Sequence, residues 1–308
     1  MRMNRCVGAL VAAACATATL AGCSSGSNGD GDGLDVVSST GYLTDAIHNI
    51  APDIEVTTLV APGGDPHTQE LTTADIQKVD SADLVVWTSH DMEHRMMEHF
   101  DSLGDKSLPA AEAIPEKDLL PWENDDGTQG HDPHVWNSPL LWNYVVDSIA
   151  DKLSDIDPDN ASTYADNAKK YKSEIQDAHE EAMKKFAQIP EHKRILITGH
   201  DAFNYLGATY KIDVHATDLV TSESQISAAE LNDLAELIVQ HEVKVIFQDN
   251  LKNPEAIQHL KESVRAKGGD VEVADTELFA DTLGESAPTD TYLGAFKSNI
   301  EVIGEALR

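Results

Sequence analysis

Four residues have side chains and positions suited to binding a metal ion: His67, His134, His200 and Asp281. Three of them follow predicted strands, and His134 lies in a loop just before a predicted helix. Open α/β sheets bind their ligands outside the carboxyl ends of strands. Imidazole nitrogens and a carboxylate oxygen are typical ligands of a divalent transition metal. No cysteine follows Cys23, so a metal held by the rest of the chain would have only nitrogen and oxygen ligands.

The elements that would position these residues follow from the alternation of short apolar runs with amphipathic stretches. This pattern is typical of βα units and a mainly parallel sheet. In the first series it predicts strands at residues 34–38, 54–59 and 84–88, and helices at 42–50, 73–79 and 92–100. In the second series it predicts strands at residues 195–198, 212–216, 243–248 and 271–274, and helices at 202–206, 228–240, 254–266 and 289–307.

One long helix is predicted between the two series, at residues 158–188. This segment has no internal proline or glycine, and its apolar residues share one helical face. A helix of this length extends roughly 45 Å, about the width of two lobes. We therefore predict an α/β fold of two lobes, each a mainly parallel β-sheet flanked by helices, joined by one long rigid helix. The predicted N-terminal lobe is 35–157 and the C-terminal lobe is 189–308.

The first residues have the features of an export signal. Two arginines precede an apolar run at residues 7–20, which is too short and too rich in alanine for a membrane span. Residues 1–22 are therefore predicted to be a signal peptide. The sequence Leu-Ala-Gly-Cys that ends at Cys23 resembles a bacterial lipobox, in which the cysteine is lipidated; an ordinary signal peptide with a chance cysteine is the alternative. Residues 23–34 are rich in Gly, Ser and Asp and are predicted to be a flexible tether.

The charge of the chain limits its partners. Its 22 Lys and Arg against 54 Asp and Glu give a formal net charge of −32, and the sequence shows no basic cluster. We therefore do not expect nucleic acids or anionic membrane surfaces to be partners of this protein. The sequence also has no phosphate-binding glycine loop and no Gly-x-Ser-x-Gly motif.

Four ordered segments resemble the ligand segments of one protein family, the metal-binding lipoproteins of ABC importers (cluster A-I solute-binding proteins). The similarity runs from about residue 35 to the C-terminus. The segments are APGGDPHTQE at residues 61–70, DPHVW at 132–136, GHDAFNYL at 199–206 and LFADTLG at 278–284.

The resemblance implies a function as well as a site. It implies that His67, His134, His200 and Asp281 are the metal ligands and that each chain carries one Zn²⁺ or Mn²⁺ ion as cargo. It also implies a non-enzymatic receptor, expected to be a monomer, that delivers the ion to an ABC permease and its ATPase. A lipid anchor on Cys23 would hold it at the outer face of the cytoplasmic membrane.

The choice between zinc and manganese is left open by the sequence. Three imidazoles and one carboxylate suit zinc. Manganese-specialised members often have glutamate at the position of His200, whereas many zinc importers have a long His-rich loop before the second ligand. Here residues 119–130 contain no histidine. The site chemistry favours zinc slightly.

Two other functions are considered. The segment from His90 through Glu93 to His94 fits the H-x-x-E-H pattern of zinc metallopeptidases, in which both histidines share a helical face. A zinc-dependent extracellular hydrolase is therefore one alternative, and a surface adhesin, a label applied to some members of the family, is another. Neither accounts for the four ordered ligand segments.

Overall fold

The computed structural model describes residues 33–123, 129–218, 226–250 and 254–308. The predicted signal peptide, Cys23 and most of the predicted tether lie outside these residues. Residues 33–308 form a compact unit in which two sheets are joined by helices.

A four-stranded parallel sheet forms the centre of the N-terminal lobe. Its strand order is β2-β1-β3-β4. The strands are β1 Val36–Ser38, β2 Val56–Thr58, β3 Leu84–Trp87 and β4 Ser107–Pro109, and the helices of this lobe are α1 Gly41–Ile50, α2 Thr73–Ser81 and α3 Met97–Asp101. The buried, β-branched character of β1 and β3 is typical of central parallel strands, which are covered on both faces.

A second parallel sheet forms the centre of the C-terminal lobe. Strand β8 pairs with β7, β10 pairs with β9, and a bridge from Thr198 to Phe247 joins the two pairs. The strands are β7 Ile195–Thr198, β8 Asp213–Ala216, β9 Val245–Ile246 and β10 Glu272–Val273, and the helices are α6 Asn204–Tyr210, α7 Ala228–Gln240, α8 Pro254–Ala266 and α9 Tyr292–Ala306. The two sheets confirm the predicted α/β class.

Two consecutive helices, α4 (Pro139–Ile156) and α5 (Ala161–Phe186), connect the lobes. Helix α5 packs against α1 and α4 and also against α6 and α9. Its length is about 39 Å at 1.5 Å per residue. The predicted apolar face is the buried one, formed by Tyr164, Ala168, Tyr171, Ile175, Ala178 and Ala182.

A continuous apolar core runs from the N-terminal lobe through these helices into the C-terminal lobe. At its centre Tyr42 of α1 stacks on Trp136 with ring centroids 5.0 Å apart, and the Tyr292 hydroxyl of α9 donates to the Trp136 carbonyl at 3.0 Å. Because close-packed cores resist deformation, this continuity restricts rotation of one lobe against the other.

The structure differs from the predicted elements mainly between residues 89 and 131. The helix predicted at residues 92–100 is confined to α3, because the preceding residues form turns. The strand β4 and an antiparallel hairpin, β5 Pro121–Glu123 with β6 Gln129–His131, were not predicted. All three strands have only three residues, too few to show a period of two. Within the ranges that the structure describes, no helix combines the length and apolar character needed to cross a membrane.

Candidate metal centre

The first two candidate ligands are positioned by the same short sequence, Asp-Pro-His. Asp65 Oδ1 accepts a hydrogen bond from the backbone N–H of His67 at 2.9 Å, and Asp132 Oδ1 accepts one from the N–H of His134 at 2.9 Å. Such local bonds from an aspartate to the backbone two residues on define a tight turn. Each turn directs its histidine into the space between the lobes.

The other two ligands are positioned by the residues after β9. The N–H of His200, which follows β7, donates to Asp249 Oδ2 at 2.7 Å. Asn250 braces the loop of Asp281 on both sides: its Oδ1 accepts from the Ala280 N–H at 3.0 Å, and its Nδ2 donates to the Thr282 carbonyl at 2.8 Å.

The structure brings all four predicted residues together. The Nε2 atom of His134 lies 3.4 Å from Nε2 of His67 and 3.2 Å from Nε2 of His200. The Asp281 carboxylate lies 3.5, 3.3 and 3.1 Å from the Nε2 atoms of His67, His134 and His200, respectively. Among the described residues, these four form a cluster whose ligand atoms all lie within 4.8 Å of one another.

These separations fit a tetrahedral metal ion. Bonds of about 2.0–2.1 Å from zinc to nitrogen or oxygen place tetrahedral ligand atoms about 3.3 Å apart. The five measured separations range from 3.1 to 3.5 Å. The cluster is also buried, because each of the four residues is at most 1% exposed. Three ring nitrogens and a carboxylate held this close in a buried position form a site for a single divalent cation.

The electrostatics of the metal-free cluster differ from one histidine to the next. Burial lowers the pKa of His67, and the attraction of Asp281 only partly offsets this. Burial opposes protonation of His134 too, but the charges of Asp132 and Asp281 outweigh it and raise its pKa to about 10. The pKa of His200 is also raised, since Asp281 outweighs its burial. The pKa of Asp281 lies well below its usual range, because the neighbouring imidazoles outweigh its own desolvation.

His134 has an additional partner that fixes its ring. Its Nδ1 lies 2.7 Å from Asp132 Oδ1, while Asn204 Nδ2 donates to Asp132 Oδ2 at 3.0 Å. The Tyr205 hydroxyl donates to the Asp132 carbonyl at 2.9 Å. A carboxylate that accepts from Nδ1 holds the imidazole in the tautomer whose Nε2 lone pair is free for a metal.

Sequence reasoning did not identify three of these supporting residues, Asp132, Asp249 and Asn250. Asp132 stands two residues before His134, as Asp65 stands before His67, so the repeated Asp-Pro-His was a usable signal for it. Asp249 and Asn250 follow a two-residue strand and act through contacts with segments 30 to 49 residues away. No local pattern marks them.

The metallopeptidase motif does not form its site. Residues 91–96 form turns and not the required helix, and His90 has a positive φ of 53°. Glu93 is fully buried and accepts hydrogen bonds from the Ser39 hydroxyl at 2.5 Å and from the N–H of Thr88 at 2.8 Å. A carboxylate occupied in this way organises the end of β3 and is not available as a general base.

Comparison with known proteins agrees with this geometry. Residues 36–306 match the family model described as zinc-uptake complex component A, periplasmic (ZnuA). The chain belongs to this family. Its members are solute-binding proteins of ABC importers, cluster A-I.

Individual relatives cover nearly the whole chain. The chain is 33% identical over 307 residues to the manganese-binding lipoprotein MntA of Bacillus subtilis, covering 98% of this chain and 99% of that protein. It is 30% identical over 276 residues to the zinc-binding protein TroA of Treponema pallidum, covering 88% of each. The solved structure of the periplasmic zinc-binding protein TroA from Treponema pallidum superimposes with a TM-score of 0.84 at 29% identity, over 89% of this chain and 99% of that one.

Proposed function

We propose that this protein is the extracytoplasmic receptor of an ABC importer, which captures one Zn²⁺ or Mn²⁺ ion and delivers it to a membrane permease. Membership of the family supports the importer role and a function in binding rather than catalysis. The observation that carries the proposal is the convergence of three imidazole nitrogens and one carboxylate from four separate loops at tetrahedral spacing.

The proposed ligands are the Nε2 atoms of His67, His134 and His200 and the carboxylate of Asp281. Three nitrogen ligands and one oxygen suit zinc. Both oxygens of Asp281 lie among the ring nitrogens, Oδ1 near His134 and Oδ2 near His67 and His200. A fifth ligand atom is therefore available, and manganese, which takes more ligands and accepts carboxylate oxygens, also fits.

The location and organisation of the chain form part of the proposal. We propose that residues 1–22 are a signal peptide, that Cys23 carries a lipid anchor and that residues 23–34 are a tether. The bodies held by this tether are an N-terminal lobe at 35–157, a linking helix region at 158–188 and a C-terminal lobe at 189–308. The receptor would act as a monomer at the outer face of the bacterial cytoplasmic membrane. The names of relatives such as MntA, which is called a lipoprotein, support this location.

Metal analysis of the purified protein tests the function. We expect close to one zinc or manganese ion per chain by elemental analysis, and a competition titration of zinc against manganese to show which is preferred. Replacing His200 by alanine should reduce the affinity sharply. His259→Ala, which removes an exposed histidine of α8, is the matched control and should bind like the wild type. Binding that is unaffected by His200→Ala would contradict the proposal.

A further inference from the structure

A single hydroxyl group joins the two loops that carry His67 and Asp281. Thr282 follows Asp281 directly and is 1% exposed. Its Oγ1 accepts a hydrogen bond from the backbone N–H of Gly63 at 3.0 Å and another from Asn250 Nδ2, also at 3.0 Å. Gly63 lies four residues before His67 in the N-terminal lobe, whereas Asn250 and Thr282 belong to the C-terminal lobe. The hydroxyl therefore bridges the lobes beside the metal ligands.

The two sides of this bridge differ in how firmly they are held. On the C-terminal side, Asn250 bonds Ala280, Thr282 Oγ1 and the Thr282 carbonyl, so the backbone on both sides of Asp281 is fixed. On the N-terminal side, the backbone of Gly63 is exposed and has a φ of 74°, a conformation that glycine adopts without steric cost. The loop of His67 therefore depends on the Thr282 hydroxyl for its attachment at this point.

The bridge lies at the border of an open cleft, because Thr282 itself lines that cleft. The four ligands are at most 1% exposed, so an ion leaves only when surrounding loops part. A cleft of about 530 Å³ is lined by Ala61 and Pro62 from one loop and by Thr282 and Leu283 from the other. Separation of Gly63 from Thr282 would open a gap between these two loops, and the gap would face that cleft. The continuous core restricts larger lobe movements, which makes loop separation the less costly route.

We propose that the Thr282 hydroxyl, held between Asn250 and Gly63, is a latch that keeps the loops of Asp281 and His67 together and sets the rate at which bound metal leaves. Thr282 is a positioning residue, since it acts through Asp281 and does not touch the ion. The inference rests on the proposed metal site. Valine has nearly the shape of threonine but no lone pairs, so Thr282→Val removes the latch and leaves the Gly63 N–H without this acceptor, while Asn250 Nδ2 keeps its bond to the carbonyl of residue 282.

The test compares metal release from the full chain, purified in detergent, loaded with Zn²⁺ and mixed in a stopped-flow instrument with excess chelating dye. We expect Thr282→Val to release zinc at least about tenfold faster than the wild type, since most changes in affinity arise in the dissociation rate. Thr282→Ser, which keeps the hydroxyl, should restore the slow rate. Thr209→Val is the matched control, because the Thr209 hydroxyl donates to Ser138 Oγ at 3.0 Å and not to either ligand loop. An unchanged release rate in Thr282→Val would overturn the inference.

A second measurement follows the Gly63 amide directly. In the zinc-loaded wild type we expect slow hydrogen exchange of this amide, and in Thr282→Val fast exchange, whereas Thr209→Val should leave it slow. Fast exchange in the loaded wild type would overturn the latch even if Thr282→Val failed to fold. Failure of the wild type to bind metal would instead overturn the proposed function, and calorimetric titration of the wild type with zinc distinguishes the two outcomes.

Discussion

The two Asp-Pro-His segments have identical sequences and similar turns, yet their histidines differ in the hydrogen bonding of the ring and in the direction in which the pKa is shifted. In both, the aspartate accepts a hydrogen bond from the histidine backbone at 2.9 Å. Only Asp132 also bonds the imidazole, at 2.7 Å from Nδ1 of His134. The Nδ1 atom of His67 is buried and has no hydrogen-bond partner among the described residues.

The difference arises from what surrounds each aspartate. Asp132 is 2% exposed and is held by Asn204, so its charge acts on His134 through a medium of low polarity. Asp65 lies in a partly exposed loop. As a result, the pKa of His134 is raised to about 10, although burial alone would lower it, whereas burial lowers the pKa of His67.

This contrast separates two tasks within one metal site. His67 is kept neutral and offers a lone pair without competition from protons. His134 is oriented by a carboxylate, which makes it a more basic ligand but also makes it bind a proton when the metal is absent. A local tripeptide therefore fixes the turn, while the tertiary environment decides the electrostatics of the histidine it presents.

The largest expected effect comes from removing either histidine. His67→Ala and His134→Ala should each weaken zinc binding by more than about 100-fold, because loss of a ligand exceeds the 10–100-fold typical of changes to supporting residues. The two variants should differ in stability without metal. His134→Ala leaves the buried Asp132 charge without the imidazole beside it, although Asn204 still donates to it, and should lower the free energy of unfolding by about 1–3 kcal/mol more than His67→Ala.

Calorimetry for affinity and urea unfolding of the metal-free variants measure both effects. Equal stability of the two alanine variants would show that the Asp132–His134 pair contributes nothing to the folded state. That outcome would remove the physical basis of the contrast between the two loops, even if both variants had lost zinc.

Intermediate losses of zinc affinity are expected when Asp132 or Asp65 is replaced. Asp132→Ala should weaken zinc binding by about 10–100-fold, since the ring of His134 loses the acceptor that orients it. Asp65→Ala is the matched variant and should have a smaller effect, because Asp65 bonds the backbone of His67 and not Nδ1 of its ring. Competition titration with a zinc-binding dye distinguishes these expectations. Similar losses of zinc affinity in both variants would mean that each aspartate contributes by holding the turn, and that the bond from Asp132 to the ring of His134 contributes little.

Much of the fold could be predicted from the sequence, because its long elements have clear periodicity. Helix α5 buries the predicted face, and α7 and α8 begin and end at the predicted residues. The region after β3 was predicted less well. There the backbone has positive φ at Ser89, His90 and Asp91, and the buried Glu93 side chain binds the preceding N–H groups. Such side-chain competition with helical hydrogen bonds has no periodic signature.

The candidate ligands could be predicted from the sequence, whereas the residues that hold them in place, Asp249 and Asn250, could not. The rule that ligands bind beyond the carboxyl ends of strands selected His67, His200 and Asp281 from local patterns. Asp249 and Asn250 also follow a strand, but β9 has only two residues, and their partners are the loops of His200 and Asp281. Their function depends on which loops the fold brings beside them, and a single sequence does not contain that information.

The most specific effect, and the smallest for one pH unit of change, is the dependence of metal binding on pH. A metal ion competes with the proton on His134 Nε2, so lowering the pH below a pKa of about 10 weakens apparent affinity by about tenfold per pH unit. His200, whose pKa is also raised, adds a second competing proton and steepens this dependence, whereas His67, whose pKa is lowered, adds none near neutrality. At pH 7.5 zinc binding should therefore release about one proton or more. Calorimetry in buffers of different ionisation enthalpy measures this number. Asp132→Asn removes one of the two charges that raise the pKa of His134 and should reduce the number of protons released, while Asp65→Asn should not change that number. Zinc binding without proton release in the wild type would show that His134 is already neutral, and the two loops would then not differ in the way their surroundings indicate.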